Sequence, residues 1–569
     1  MENDMKTQAR MWAIILLLLF SFSLVSAQSP GEKWAMYAAP EEAGFSSQKL
    51  AEAKSLYDSL DAAALMVIYD GKVLVVWGDI YRRFMCHSVR KSFLSALYGI
   101  HVEDGTIDLG KTLADLKIDD KDPLTEIEKQ ATIRDLLKAR SGVYHPAAYE
   151  TPGMKALRPS RGSHTPGEFW YYNNWDFNVL CTILEQETGT DIFEDFKTKI
   201  ANPLQMEDYR TMDGYHHLEP EHSVHPAYPF RMSARDMARF GWLYHQQGKW
   251  NGQEIISADW IEASATPYSK TGFKSYMAGY GYLWWVSDDF KDLGLYSALG
   301  VGTQMISVLP GANMVIVQRV NTYASKQVIP DMTLFQKIIE AKVSPAKKNP
   351  ELILLKEKTG YPPAIVMDRE ALAGYAGQCP VNVYFGDSRL PKRQVSIALE
   401  GDHLVLKAPF FGNFKMFPLT STKFFVEDME HYGIFEIDDR GNPRELTLFP
   451  TEKVADFYSR LLDEPVVRAD VLLKTTVSEK KDRRYFSESE LLTMGLHLLI
   501  EKRNDEAKAI WYFAVQVYPR SSKLHVYLGE ASRIEGNIEQ AVRLYKKALE
   551  LDPNNAKAKN MLNKLKKDE

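Results

Sequence analysis

Cysteine is scarce. Cys86, Cys181 and Cys379 are the three in 569 residues, an odd and sparse set that excludes a disulfide framework and reads as three buried thiols. A basic excess is also lacking. Lys and Arg number 69 against 75 Asp and Glu, for a formal net charge of −6, so the electrostatic footprint of a nucleic-acid-binding protein is missing. No Gly-rich phosphate loop stands out. His216, His217, His222 and His225 lie close together, but they read as a surface loop without the oriented spacing of a zinc site. Neither a metal nor a cofactor is therefore expected. The long apolar run that does occur, Met11 to Val25, is shorter than the roughly 20 residues a membrane span needs. Lys6 and Arg10 precede it and Val25-Ser26-Ala27 follows, the pattern of an export leader with Gln28 as the mature start. The expected location is periplasmic or secreted, with no transmembrane span in the mature chain. An uncleaved anchor is the alternative.

What is present is a globular mix. Apolar residues make up 45% and aromatics 12%, which favours packed cores over disorder. The length exceeds what one core supports, so several domains are expected. Residues 1–27 form the leader. Residues 28–343 mix helices and strands. Leu50, Ala53, Leu56, Tyr57 and Leu60 recur at helical spacing between Ser47 and Leu60. Ala64–Tyr69 and Lys72–Trp77 read as strands about an Asp70-Gly71 turn, and Gln304–Leu309 and Met314–Val320 form another hairpin about Pro310-Gly311-Ala312. Asp331–Ala341 reads as a closing helix with Pro330 at its start. Residues 344–468 open on a linker (Pro345 to Pro350 and Tyr361-Pro362-Pro363). After a short helix near Arg369 to Ala373 come short alternating runs, as in a small β sandwich or barrel.

Residues 469–569 repeat. At an offset of 34, Gly495 pairs with Gly529, Ala507 with Ala541, Trp511 with Tyr545, Ala514 with Ala548, and Pro519 with Pro553. These positions resemble the tetratricopeptide repeat, with a capping helix from Asn555 to Lys567. Two repeats are fewer than usually stand alone, so they should pack on the rest of the chain. Residues 488–569 are the candidate surface for a protein partner.

A serine hydroxyl needs a base to act as a nucleophile at neutral pH, and a lysine one helical turn later can supply it. Ser88-Val89-Arg90-Lys91 has that spacing. Ser46/Lys49, Ser344/Lys347 and Ser478/Lys481 have it too, but only Ser88 combines an extended approach (Ile80 to Met85) with an apolar helix behind it. Farther on, Pro166-Gly167-Glu168-Phe169-Trp170-Tyr171-Tyr172-Asn173-Asn174 sets a phenol and an amide on one loop before a helix from Trp175 to Glu187. The phenol can relay a proton, and a nearby lysine ammonium would favour its ionised form. The amide can hold Lys91 and a substrate carbonyl.

Together with Ile133–Gly142, Arg231–Gly241 and Tyr280-Gly-Tyr-Leu-Trp-Trp285, these stretches resemble the serine β-lactamase and penicillin-binding superfamily, on the branch around class C β-lactamases and their esterase relatives. The resemblance spans residues 40–340. It implies an α+β fold, with a five-stranded antiparallel sheet flanked by helices and a helical subdomain carrying the tyrosine loop. It also implies an acyl-enzyme on Ser88, Lys91 and Tyr172 as general base and acid, and Asn174 orienting the substrate. The third family motif, Lys or His, a small residue, then Gly, departs here. Lys270-Thr271-Gly272 lies in what reads as a loop. Val301-Gly302-Thr303 fills the position better, or the register lies two residues away. That leaves no cation, and makes Gly302 and the Gln304 N–H the substrate-binding candidates. The expectation is an exported serine hydrolase acting on an ester or amide. The alternatives are a catalytically weak scaffold that binds through its repeats, and a true β-lactamase or D-amino-acid peptidase, disfavoured by the missing cation. Residues 372–377 resemble the start of the small β domain that follows the hydrolase domain in some relatives.

Overall fold

The computed structural model describes residues 30–568 apart from 61, 274, 325–331, 359, 386–387, 409–411 and 464–466. The leader and Pro330 lie outside the described residues. The chain divides into two compact units. One holds residues up to 211, 216–320 and 327–357, and the other holds 212–215, 321–326 and 358–569. No helix among the described residues is long and apolar enough to cross a membrane.

The first unit is built on one sheet. In chain order its strands are β1 (Ala35–Tyr37), β2 (Ala64–Tyr69), β3 (Lys72–Gly78), β6 (Ser269–Lys270), β7 (Gly279–Tyr280), β8 (Trp285–Val286), β9 (Tyr296–Gly300), β10 (Gln304–Leu309), β11 (Met314–Arg319) and β12 (Leu352–Leu354). A separate two-stranded ribbon pairs β4 (Phe84–Met85) with β5 (Arg231–Met232). The sheet order is β12-β1-β3-β2-β11-β10-β9-β8-β7-β6. Its centre, β3-β2-β11-β10-β9, is the expected five-stranded antiparallel core, and short strands extend it at both ends. β12 comes from residues that read as linker. It pairs antiparallel with β1, Ala35 opposite Leu354.

The central strands read as nearly continuous apolar runs because both faces are covered. Leu65, Val67, Met305 and Ile316 pack against α1 (Ser47–Ser59) and α5 (Met332–Glu340). Met66, Ile68, Ile306 and Val315 face the large core on the other side, with Phe240 of α4 (Ala234–His245). Gly241 lets α4 approach closely, since a methyl group there would lie 2.7 Å from both Ile306 Cγ2 and Val315 Cγ1. The Asp70-Gly71 turn has φ of 49° and 75°, so both residues are left-handed as a two-residue hairpin requires. Two further helices bring the site together: α2 (Arg90–Glu103) and α3 (Asn174–Thr188). Phe93 anchors α2 among Phe196, Phe230 and Phe240.

In the second unit seven strands close into a barrel: β13 (Gly377–Phe385), β14 (Arg393–Glu400), β15 (His403–Ala408), β16 (Gly412–Pro418), β17 (Lys423–Val426), β18 (His431–Ile437) and β19 (Pro443–Phe449). Each pairs antiparallel with the next, and β13 closes on β19 in parallel. β13 and β16 were not evident in the sequence because Gly377, Pro380, Gly412 and Pro418 read as breakers.

The repeats form two helix pairs: α8 (Glu488–Ile500) with α9 (Asn504–Val517), and α10 (Ser522–Ile534) with α11 (Ile538–Leu551). A last helix, α12 (Ala556–Asp568), covers the end. Gly495 lies against the Trp511 ring and Gly529 against the Tyr545 ring, so the repeated glycines serve the repeated aromatics. Two unforeseen helices, α6 (Glu452–Asp463) and α7 (Ala469–Glu479), precede them. One apolar core runs from Tyr384 and Phe449 of the barrel through Tyr458 to Leu498 and Trp511, so the repeats do pack on other parts of the chain.

His497 sits in that core, 2.8 Å from Tyr384 OH, and burial pushes its pKa down to about 3. A histidine depressed in the folded state loses stability as pH falls from the unfolded value of ~6.5 toward the folded one. Melting of this unit is therefore expected to weaken steadily below pH 6.5. A His497→Gln variant should show a flatter pH dependence in the same calorimetric scan, and an equal slope in both proteins would refute the assignment.

Candidate active site

Ser88 stands where the ribbon strand β4 turns into α2. The His87–Val89 turn is a 3-10 turn, and His87 takes a left-handed φ of 49°. The Cys86 N–H donates to Phe230 O at 2.8 Å, which fixes the turn from the second ribbon strand's approach. α2 is buried from Arg90 to Gly99, so Ser88 is carried on a rigid, central helix.

Lys91 Nζ lies 2.9 Å from Ser88 Oγ and 2.8 Å from Tyr172 OH. The sequence pairing of Ser88, Lys91 and Tyr172 is thus one hydrogen-bonded cluster. The amine is also 4.4 Å from the Tyr172 ring centroid and 4.6 Å from that of Phe177. Lys91 is 2% exposed, and no carboxylate lies within ion-pair distance of it among the described residues. Burial, reinforced by the Arg90 charge, pushes its pKa well below the ordinary lysine value. Burial pushes the Tyr172 phenol up to about 12, against smaller downward contributions from its hydrogen bond to Ser88 and from Arg90. The sequence suggested an ionised phenol beside an ammonium. The geometry gives the reverse, a neutral phenol beside an amine able to accept a proton, because desolvation outweighs their mutual attraction.

Asn174 does not reach Lys91. Its Nδ2 donates to Tyr149 O at 2.7 Å, and its Oδ1 is buried without a hydrogen-bond partner. The tyrosine loop is held by Asp176 instead, a residue the sequence reading passed over. Its Oδ1 accepts from Ser141 Oγ at 2.6 Å and from Asn173 Nδ2 at 2.8 Å. Burial pushes this carboxyl well above the usual range.

The third motif falls three residues earlier than first placed. Gly300 ends β9, and a methyl group on it would lie 2.5 Å from Cys86 O and 3.1 Å from Ser88 N. Gly300, not Gly302, is therefore the glycine pressed against the Ser88 turn, and with it as the closing glycine the motif aligns on Ala298-Leu299-Gly300. Gly302 lies in the following turn with φ of 78°. The Gln304 side chain is buried and hydrogen-bonded within the fold. Its Nε2 donates to Val320 O at 2.7 Å and its Oε1 accepts from Arg319 Nε at 2.7 Å. Arg319 Nη2 also donates to Phe84 O and Met85 O, so Gln304 and Arg319 tie the sheet to the strand leading to Ser88. A lone arginine ending the apolar run Met314–Val317 was the sequence signal for this clamp. Lys270 lies on β6, with β7 and β8 between it and β9.

An aromatic wall adjoins the cluster. Trp285 is 5.1 Å from Tyr172 between ring centroids, and Trp170 and Phe273 continue it. The four clustered histidines divide. His216 bonds Glu185 at 2.9 Å, His217 and His222 both bond Glu219, and His225 faces Asp119 O. Cys181, Glu185 and His216, and separately Glu219, Glu221 and His222, bring donor atoms close enough to hold an ion. All three cysteines are free and buried.

The family model for β-lactamases matches residues 53–333, the segment that carries this cluster. This segment belongs to the β-lactamase family. Residues 522–555 match the tetratricopeptide repeat model. An uncharacterised protein of Alkalihalophilus pseudofirmus is 20% identical over 269 residues, 43% of this chain and 75% of its own. A Bacillus anthracis protein provisionally named a 6-aminohexanoate-dimer hydrolase is 20% identical, with a TM-score of 0.41 over 56% of this chain and 88% of its own. The octameric penicillin-binding protein homologue from Pyrococcus abyssi is 18% identical, with a TM-score of 0.37 over 69% of this chain and 94% of its own. Ser88, Lys91, Tyr172 and Gly300 meet within the segment that matches the β-lactamase family model.

Proposed function

We propose that the chain is a serine hydrolase that cleaves an ester or amide through an acyl-enzyme on Ser88. The observation that carries this reading is the Lys91 amine, buried without a carboxylate and within 3 Å of both Ser88 Oγ and Tyr172 OH. The neutral amine takes the Ser88 proton as Oγ attacks the carbonyl carbon. Tyr172 passes a proton to the departing oxygen or nitrogen. Water then attacks the acyl-enzyme with the same groups in reversed roles. The Ser88 N–H and the N–H of Val301, which follows Gly300, are the donors for the oxyanion. Ala298 stands where the family motif carries a cation, so a substrate carboxylate has no charged partner there. Trp285, Trp170 and Phe273 suit an uncharged acyl group with apolar surface.

Labelling with a fluorophosphonate, mapped by mass spectrometry, tests the proposal. The adduct is expected on Ser88, absent in Ser88→Ala, and formed roughly 100-fold more slowly in Tyr172→Phe. A chromogenic cephalosporin is expected to be turned over poorly. A folded protein that takes no label at Ser88 would overturn the hydrolase reading and favour a scaffold whose repeats hold a protein partner.

A further inference from the structure

Three donor side chains that the proposed reaction does not use meet beside α3. Cys181 and Glu185 stand four residues apart, so they share one face of the helix. His216 reaches them from a loop far along the chain, and all three belong to the first unit. Its Nε2 lies 2.9 Å from Glu185 Oε1, and the donor atoms of Cys181, Glu185 and His216 all lie within 4.8 Å of one another. The loop is fixed where it carries this imidazole. The His217 N–H donates to Ala227 O at 2.7 Å, and the Ala227 N–H returns a bond to His217 O at 2.9 Å. The His216 ring packs on Phe193 at 5.3 Å between centroids, and its Nδ1 faces Asp191 Oδ2 at 3.9 Å. Asp191 is held in turn, because its Oδ1 caps the helix Ile192–Phe196 by accepting from the Phe193 and Glu194 N–H groups.

We propose that Cys181, Glu185 and His216 form a zinc site, with Asp191 orienting the imidazole through Nδ1. Zinc takes sulfur, nitrogen and carboxylate oxygen together, and three protein ligands leave its fourth position open. Bonds of about 2.0–2.3 Å to a tetrahedral zinc hold donor atoms roughly 3.3–3.7 Å apart. The spacing here brackets that range, so the three side chains need only small shifts to close on an ion. A carboxylate on the far nitrogen is the usual outer partner of a metal-bound histidine, and Asp191 stands there. Burial pushes the Cys181 thiol well above its ordinary range, with Glu185 and Asp191 adding to the rise and Arg90 opposing it. By itself the thiol is therefore inert, and a dication is what draws a thiolate from it. Binding releases the thiol proton and the Nε2 proton of His216 to solvent. Glu219, Glu221 and His222 also lie close together, but Glu219 is already committed to the Tyr149 N–H, His217 and His222. The zinc would tie the His216 loop to α3, which begins two residues after Tyr172.

The rival reading is an ion pair of His216 with Glu185 beside an unrelated buried thiol. Cobalt substitution separates the two. The full chain, reduced and stripped with a chelator, should be titrated with Co(II) and then with Zn(II). One equivalent of cobalt is expected to give the visible bands of a tetrahedral centre and a thiolate-to-cobalt charge-transfer band in the near ultraviolet, and zinc should bleach both. The charge-transfer band should vanish in Cys181→Ala. Cobalt should bind roughly 100-fold more weakly in His216→Gln and roughly 10-fold more weakly in Asp191→Asn, which keeps the helix cap. Cys379→Ala and His222→Gln should bind like the wild type. Circular dichroism of each stripped protein checks the fold. If Cys181→Ala does not fold, His216→Gln and Asp191→Asn, both at exposed residues, carry the test. A folded wild type without the charge-transfer band would overturn the proposal. So would a band that survives in Cys181→Ala, or an affinity unchanged in His216→Gln.

Discussion

Replacing Lys91 by Met is expected to abolish catalysis and to make the protein more stable. Loss of the base should slow acylation by roughly 10³- to 10⁴-fold. The gain in stability follows from linkage. Lys91 has a folded pKa well below its unfolded one, so folding at neutral pH must either strip a proton or bury an ammonium. That penalty is present below the unfolded pKa of ~10.4 and vanishes above it. Methionine fills similar space beside Tyr172 and Phe177 and carries no such penalty, so the melting temperature should rise by roughly 3 °C near pH 7. Calorimetry at pH 7 and pH 10.5 checks the sign, since the gap between variant and wild type should narrow at the higher pH. A Lys91→Met protein that melts lower than wild type at pH 7 would mean that the amine is compensated in the native state.

Gly300→Ala should be nearly as damaging, for a steric reason. The new methyl group would meet two backbone atoms, Cys86 O at 2.5 Å and Ser88 N at 3.1 Å, and neither can swing aside as a side chain could. Either β9 or the nucleophile turn must retreat by some tenths of an ångström. The two proposed oxyanion donors, Ser88 N–H and Val301 N–H, flank that contact, so their separation would change with it. Displacements of this size at a reacting centre commonly cost ~100-fold. Kinetics on a p-nitrophenyl ester should show the loss mainly in kcat, with Gly302→Ala affected far less. Activity within threefold of wild type in Gly300→Ala would remove β9 from the catalytic centre.

Much of this was legible before any coordinates. Ser88 and Lys91 stand out by their spacing before an apolar helix, the resemblance to the β-lactamase superfamily joins Tyr172 to them, and the two flanking hairpins show as apolar runs about turn residues. The repeat was legible because five positions recur in register. The third motif was harder. Between Leu299 and Gln304 glycines alternate with small residues, and only the contact of Gly300 with Cys86 and Ser88 selects one of them. Asn174 was expected to hold Lys91, but its Nδ2 donates to the Tyr149 carbonyl, a partner that a one-dimensional reading cannot see. Asp176 and Arg319 act through backbone and side-chain groups far away in the chain, so their importance becomes visible only when those groups meet. The helices Glu452–Asp463 and Ala469–Glu479 were hidden because the boundary between barrel and repeats is filled by structure and not by a linker.

That filled boundary governs how the chain can be divided. Tyr384 and Phe449 of the barrel complete their burial only against Tyr458, His497 and Leu498. A fragment ending near residue 468 would present these rings to water, and one beginning at residue 488 would present Leu491, Leu498 and Trp511. Neither side of that cut keeps a fully covered core. Removing the repeats would leave apolar rings on the barrel's outer face where polar side chains would be needed.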